Sequence, residues 1–321
     1  MKKTIICIII TILIVTTGYL ILYFVNKDTK SNNTNDTQKE TFIYKEELLN
    51  LGYKPYEINE IKKYISTVDI KNYLLDKKYD NLLSFISSPY FKIENIERYE
   101  NYYKNNNKYN TDEIVIYVEI GLDIEFYTNV KIIENPLEVT TLINKYNQLD
   151  KSIEFNDLKE IPLPYSKDGK RRIRAVAYDN LIKMIDDAKK DNINLKVVSG
   201  FRTWNEQSGL FNNSKNKNGL DYALIYSAKP GHSEHQLGLA VDLNTTQNGF
   251  EKTKEYAWLK QNAYKYGFIE RYPKNKEFIT GYAFEPWHYR YLGQDISTKL
   301  YQENITYEEY LVKYNSSLIN K

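Results

Sequence analysis

The reading of the fold turns on Pro230-Gly231-His232-Ser233-Glu234-His235-Gln236-Leu237-Gly238-Leu239-Ala240-Val241-Asp242. Leu239, Val241 and Leu243 alternate with Ala240 and Asp242, the period of a strand, so Ala240 and Asp242 are predicted on one face. Gly238 permits a turn, because glycine accepts positive φ without a Cβ clash, and that turn is predicted to carry His235 back over the same face. The small Ala240 leaves space there for an ion.

Outward from this stretch the elements are mixed. Ala177, Leu181, Met184, Ile185 and Ala188 predict a helix with one apolar face. Ile193, Leu195 and Val197 predict a strand over 192–199, followed by a turn at 200–202. Thr203 and Glu206 form a Thr-x-x-Glu capping box, so a helix should begin after Thr203. Leu259, Ala263 and Tyr266 predict a helix stopped by Gly267. Strands are predicted over 268–272, closed by Pro273, and over 287–291. Helices and strands follow no regular βαβ rhythm, which favours α+β: a small, largely antiparallel sheet with flanking helices. Nearer the N-terminus, Ile58, Ile61 and Ile65 share a helix face, and Leu74, Leu82 and Phe85 suggest short helices. An Asn- and Lys-rich loop is predicted over 102–109. Ile114, Ile116, Val118 and Ile120 alternate as in a strand. The expected division is a mostly helical accessory region over 42–134, a catalytic domain over 135–305 and a C-terminal helix or tail over 306–321.

The chain has 321 residues, with 44 Lys and Arg against 42 Asp and Glu, a formal net charge of +2. That balance excludes a strongly basic nucleic-acid binder, and no nucleic-acid partner is expected. The single cysteine, Cys7, excludes an intrachain disulfide. Lys2 and Lys3 precede an uncharged stretch, residues 4–25, and about 20 apolar residues span a bilayer as a helix. A transmembrane signal-anchor over 1–25 is expected; Thr16 and Gly18 offer a weak match to the cleavage site of a signal peptide instead. Residues 26–41 read as a disordered linker. The expected location is the cell membrane, single-pass, with the catalytic domain extracellular.

His232, His235 and His288 are the three histidines, so imidazole chemistry has few places to be. A hydrolytic zinc site needs three ligands from His, Asp or Glu, a position left for water, and a carboxylate to take the water's proton. His235, Asp242 and His288 can supply the ligands and Glu285 the base. The same residues also suit a hydrogen-bonded core pair, and spacing does not separate the two readings. His232 is a ligand or a loop residue. Arg202, between a strand and a capped helix, is an oxyanion donor or a surface arginine. Ser233 can cap its segment or bind substrate.

Ser199-Gly200-Phe201-Arg202-Thr203, the 230–242 stretch and Glu285-Pro286-Trp287-His288-Tyr289-Arg290-Tyr291 resemble the VanY-type D-alanyl-D-alanine carboxypeptidases, zinc peptidases of bacterial cell walls. The resemblance covers about 135–294. It implies the small α+β domain that these peptidases share with the Hedgehog signalling domain. It implies Zn2+ held by His235, Asp242 and His288, Glu285 as catalytic base and Arg202 as the catalytic arginine that stabilises the oxyanion. It further implies Ser233 and Gln207 as substrate-binding residues and the peptidoglycan stem peptide as partner. The activity implied is release of a terminal D-Ala. The alternatives are an L,D-carboxypeptidase acting on tetrapeptides, a peptidoglycan endopeptidase, or a non-catalytic zinc-stabilised wall-binding module.

Overall fold

A computed structural model describes residues 44–315. The expected anchor and linker, and the end of the C-terminal tail, lie outside the described residues. No described helix is long and apolar enough to cross a membrane. The chain divides into two units, one up to Val115 and one from Ile116 onward.

The first unit is helical: α1 (Lys45–Asn50), α2 (Pro55–Tyr64), α3 (Thr67–Tyr73), α4 (Leu82–Ile86) and α5 (Ile96–Asn106), with the unit boundary inside α6 (Thr111–Ile120). Ile58, Ile61 and Ile65 are buried as one stripe, joined by Ile70, Leu74, Leu82, Phe85 and Tyr99. Two expectations are corrected here. Residues 114–120 are helical, not a strand. Asn110 and Glu113 cap α6 reciprocally, with Glu113 N–H donating to Asn110 Oδ1 at 2.9 Å and Asn110 N–H to Glu113 Oε2 at 2.8 Å. Every residue from Ile114 to Ile120 is buried, so the apolar pattern carries no helical period to read. The predicted loop over 102–109 is half helix, because α5 runs on to Asn106. Buried Ile96 and Tyr99 anchor α5 while its Asn and Lys side chains face solvent.

The second unit begins with β1 (Lys131–Ile132) paired in parallel with β2 (Asn147–Gln148), and an antiparallel hairpin of β3 (Leu158–Ile161) and β4 (Arg171–Arg174). Helix α7 (Ala175–Lys190) lays Ala177, Leu181, Met184, Ile185 and Ala188 into the core, as its apolar spacing predicts. Truncating a leucine such as Leu181 in that core costs about 2–5 kcal/mol. The main sheet consists of β5 (Val197–Ser199), β6 (Ala240–Leu243), β7 (Phe268–Glu270) and β8 (His288–Tyr291), in the order β5-β6-β8-β7 and antiparallel throughout. The strand predicted over 192–199 is shorter, because Lys196 N–H is taken by the Asn244 side chain rather than a neighbouring strand. The strand predicted over 268–272 likewise ends at Glu270. The box at Thr203 and Glu206 starts α8 (Trp204–Asn218), which α9 (Leu220–Tyr226) follows. Beyond the sheet core, α12 (Gln294–Glu303) and α13 (Tyr307–Tyr314) bury Leu300, Tyr307 and Leu311 with Leu142, Ile269 and Leu292. Helices α10 (Lys254–Asn262) and α11 (Glu277–Thr280) fill the connections between strands.

Candidate metal centre

The register of two central strands builds the site. Asp242 on β6 pairs with His288 on β8, and Ala240 pairs with Arg290 two positions along on the same faces. His235 arrives on a buried one-turn 3-10 helix, Glu234–Leu237, which ends at Gly238 with φ +64. A Cβ at Gly238 would stand 2.9 Å from the Arg174 side chain, so both the turn and the packing require glycine.

Each histidine commits one ring nitrogen to a neighbouring oxygen and turns the other toward Asp242. His235 Nδ1–H donates to the Gly200 carbonyl at 2.8 Å, leaving Nε2 facing Asp242 Oδ2 at 3.3 Å. His288 Nε2–H donates to Glu234 Oε2 at 3.2 Å, leaving Nδ1 facing Asp242 Oδ1 at 3.2 Å. Buried His235 Nε2 and Asp242 Oδ1 are close to these neighbours yet make no hydrogen bond of proper geometry. Buried polar atoms left so are costly unless something converges on them. His235 faces one oxygen of Asp242 and His288 the other, so the carboxylate stands between the two imidazoles. His235, Asp242 and His288 offer donor atoms all within 4.8 Å of one another. The donor set, two imidazoles and one carboxylate, suits a catalytic zinc.

Burial and the neighbouring charges set the protonation of the three donors. Burial, with Arg202 nearby, lowers the His235 pKa to about 4, so its ring is neutral. Burial also opposes charge on His288, but Asp242 and Glu234 outweigh it and raise that ring to about 9. Asp242 stays well below the carboxylate range despite burial, because both histidines flank it. A metal held by these donors would have to displace the proton of His288.

Glu285 precedes β8 through Pro286, as a loop entering a strand. Its Oε2 lies 3.7 Å from His288 Nδ1, and its side chain is 18% exposed to the cleft. Burial and the carboxylates of Asp242 and Glu234 push it up to about 7, with His288 and Arg202 opposing. Such a group is poised to exchange a proton near neutrality. Arg202 lies in the same cleft, its Nη2 3.3 Å from Asp242 Oδ2 and its side chain 20% exposed. Gln207 is buried behind it. Gln207 Oε1 accepts from Arg202 Nη1 at 2.8 Å, while its Nε2 donates to the Ala228 carbonyl at 2.7 Å. Ser233 lines the cleft. His232 stays apart from this group: its Nδ1 lies 2.7 Å from the Asn144 carbonyl and its ring packs edge-on against Tyr127.

Sequence reasoning missed the charges beneath the metal group. Glu234 Oε1 accepts from Arg271 Nε at 2.7 Å and from Arg290 Nη1 at 3.0 Å. Against the cost of burial, these two guanidinium groups hold Glu234 well below the carboxylate range. Arg271 is also gripped by both oxygens of Glu308 on α13, at 2.9 and 2.6 Å. Two buried carboxylates thus face two buried guanidinium groups. The available signal was Glu234 and Arg290 inside the motif stretches; nothing local pointed to Arg271 or Glu308, which come from elsewhere in the chain.

The family model described as D-alanyl-D-alanine carboxypeptidase, VanY, matches residues 170–294. The Bacillus subtilis (strain 168) protein YodJ is 40% identical over 210 residues, covering 61% of this chain and 77% of that protein. A D-alanyl-D-alanine carboxypeptidase of Enterococcus faecalis is 37% identical over 198 residues, covering 56% of this chain and 73% of that protein. Among solved structures, the LdcB LD-carboxypeptidase is similar with a TM-score of 0.54 at 39% identity, covering 57% of this chain and 90% of that one.

Proposed function

We propose, from the premise that this chain belongs to the VanY family of D-alanyl-D-alanine carboxypeptidases, that it is a zinc enzyme releasing the terminal D-Ala of peptidoglycan stem peptides. The observation that carries the reading is the converging donor set of His235, Asp242 and His288, with Glu285 beside it on the cleft. Zinc bound there supplies Lewis-acid polarisation of a carbonyl and acidification of water. Glu285 takes the proton of the attacking water as a C–O bond forms at the scissile carbonyl. As the C–N bond breaks, Glu285 returns that proton to the departing amine of D-Ala. Its place on the cleft beside the metal donors suits both halves of this exchange. Arg202 donates to the carbonyl oxygen as it gains negative charge, and Gln207 holds the guanidinium for that task. Glu234 fixes the His288 ring so that Nδ1 presents its lone pair. Ser233, on the same cleft, is assigned to the substrate peptide.

The reading includes an N-terminal membrane anchor with the enzyme outside, supported by the uncharged stretch at residues 4–25. Protease treatment of intact cells tests it: the catalytic unit should be shaved from the surface, and protection of the whole chain would overturn the orientation. For the activity, the zinc-loaded chain is incubated with stem pentapeptide and tetrapeptide and the products are weighed by mass spectrometry. Loss of one alanine from the pentapeptide is expected. The likeness to LdcB favours an L,D second reading, which shortening of the tetrapeptide alone would select. Cleavage at an internal bond would make it an endopeptidase.

A further inference from the structure

The cleft that holds the metal centre is larger than a terminal dipeptide needs. Its volume is about 1280 Å³, above the 300–1,000 Å³ usual for a small-molecule site. Away from the metal it is walled by α8 and α9. There Tyr222 and Tyr226, one helical turn apart on α9, stack with ring centroids 4.3 Å apart and planes 23° apart. They are 44% and 51% exposed, and both line the cleft. The exposed amides of Asn213 and Asn218 line the same wall.

We propose that this wall is a saccharide-binding platform, which seats the amino sugar to which the stem peptide is joined. The proposal rests on the carboxypeptidase reading above and goes beyond it by naming what fills the outer cleft. A pyranose ring has an apolar C–H face and a hydroxyl rim. The outward faces of the stacked tyrosines, left in water at the side of a concave site, suit the first, and amide side chains suit the second. A protein partner would need about 800 Å² of surface, more than two rings within a cleft provide.

The platform is fixed to the catalytic segment. Ala283 N–H donates to the Ile225 carbonyl of α9 at 3.1 Å, two residues before Glu285. Buried Lys145 donates to the Leu224 carbonyl at 2.8 Å. A ligand resting on the tyrosines is thereby registered against the base.

The test compares a disaccharide-linked pentapeptide with the free pentapeptide, using the full zinc-loaded chain. The linked substrate should show the higher kcat/KM, by about two- to tenfold for an aromatic stacking contact. Tyr222→Ala and Tyr226→Ala should bring that ratio toward one, and Tyr226→Trp, which keeps a ring face, should preserve it. Equal kcat/KM for the two substrates in the unsubstituted chain, or a ratio unmoved by both alanines, overturns the proposal. The peptide-free disaccharide gives a readout independent of catalysis. Saturation-transfer NMR should detect its binding to the full chain and lose the signal in Tyr226→Ala. Absence of transfer counts against the platform even where peptide is cleaved, whereas transfer without cleavage supports the platform and counts against the carboxypeptidase reading.

Discussion

Glu234→Gln changes one buried oxygen to a nitrogen and tests how the metal centre is held. Glu234 Oε1 serves Arg271 and Arg290, and Oε2 accepts from His288 Nε2–H. Glutamine keeps an acceptor for the arginines but removes the charge between them. Breaking a buried ion pair by removing one partner costs about 3–5 kcal/mol. Glu308 still neutralises Arg271, so the lower figure, about 3 kcal/mol, is expected. For a domain of about 200 residues each kcal/mol lowers Tm by about 2–4 °C, giving a fall of about 6–12 °C in the metal-free protein. The new amide N–H faces His288 Nε2–H, donor against donor. The ring is thereby driven toward the tautomer that protonates Nδ1, the atom facing Asp242. Loss of an orienting partner of a ligand histidine costs about 10–100-fold in metal affinity. Thermal scans of the metal-free protein and chelator competition for zinc read the two effects separately. A Glu234→Gln protein that melts with the unsubstituted chain and holds zinc equally well refutes the reasoning.

Glu285→Gln should retain one zinc per chain while kcat falls about 10²–10⁴-fold; equal zinc loss would contradict its role as base rather than ligand. Arg202→Lys should lower kcat without releasing zinc, checked by steady-state kinetics beside metal analysis. Gly200→Ala should lose stability and zinc affinity together. Its Cβ would clash with the Arg172 carbonyl oxygen, and the Gly200 carbonyl orients His235. The pH dependence follows from His288, raised to about 9 in the metal-free fold. A raised histidine contributes stability fully below its unfolded pKa near 6.5 and loses it as pH rises through about 9. Metal-free protein should therefore melt lower at pH 9.5 than at pH 6.5. Zinc must displace that proton, so its affinity should rise about tenfold per pH unit across the same window. A flat profile would contradict it.

Much of this site is legible in the sequence because its parts are local. The capping box at Thr203, the turn at Gly238 and the alternation through Asp242 each specify geometry within a few residues, and the structure forms all three. The pairing of Asp242 with His288 is not local, yet both stretches read as strands, and one register brings them together. The support beneath is illegible for the opposite reason. Arg271 and Glu308 look like ordinary surface charges until the sheet and α13 bury them beside Glu234. The failure at 114–120 has a simple cause: a helix buried all round loses its amphipathic stripe, and alternating isoleucines then mimic a strand.

The central claim is that His235, Asp242 and His288 bind a zinc on which peptide cleavage depends. It is tested most directly by stripping the full chain with a chelator, then titrating zinc back while following alanine release from stem pentapeptide. The account predicts that release stops on stripping and returns in full at one equivalent of zinc, but not in His288→Ala. Release that persists in the stripped protein, or returns with His288→Ala, would contradict it.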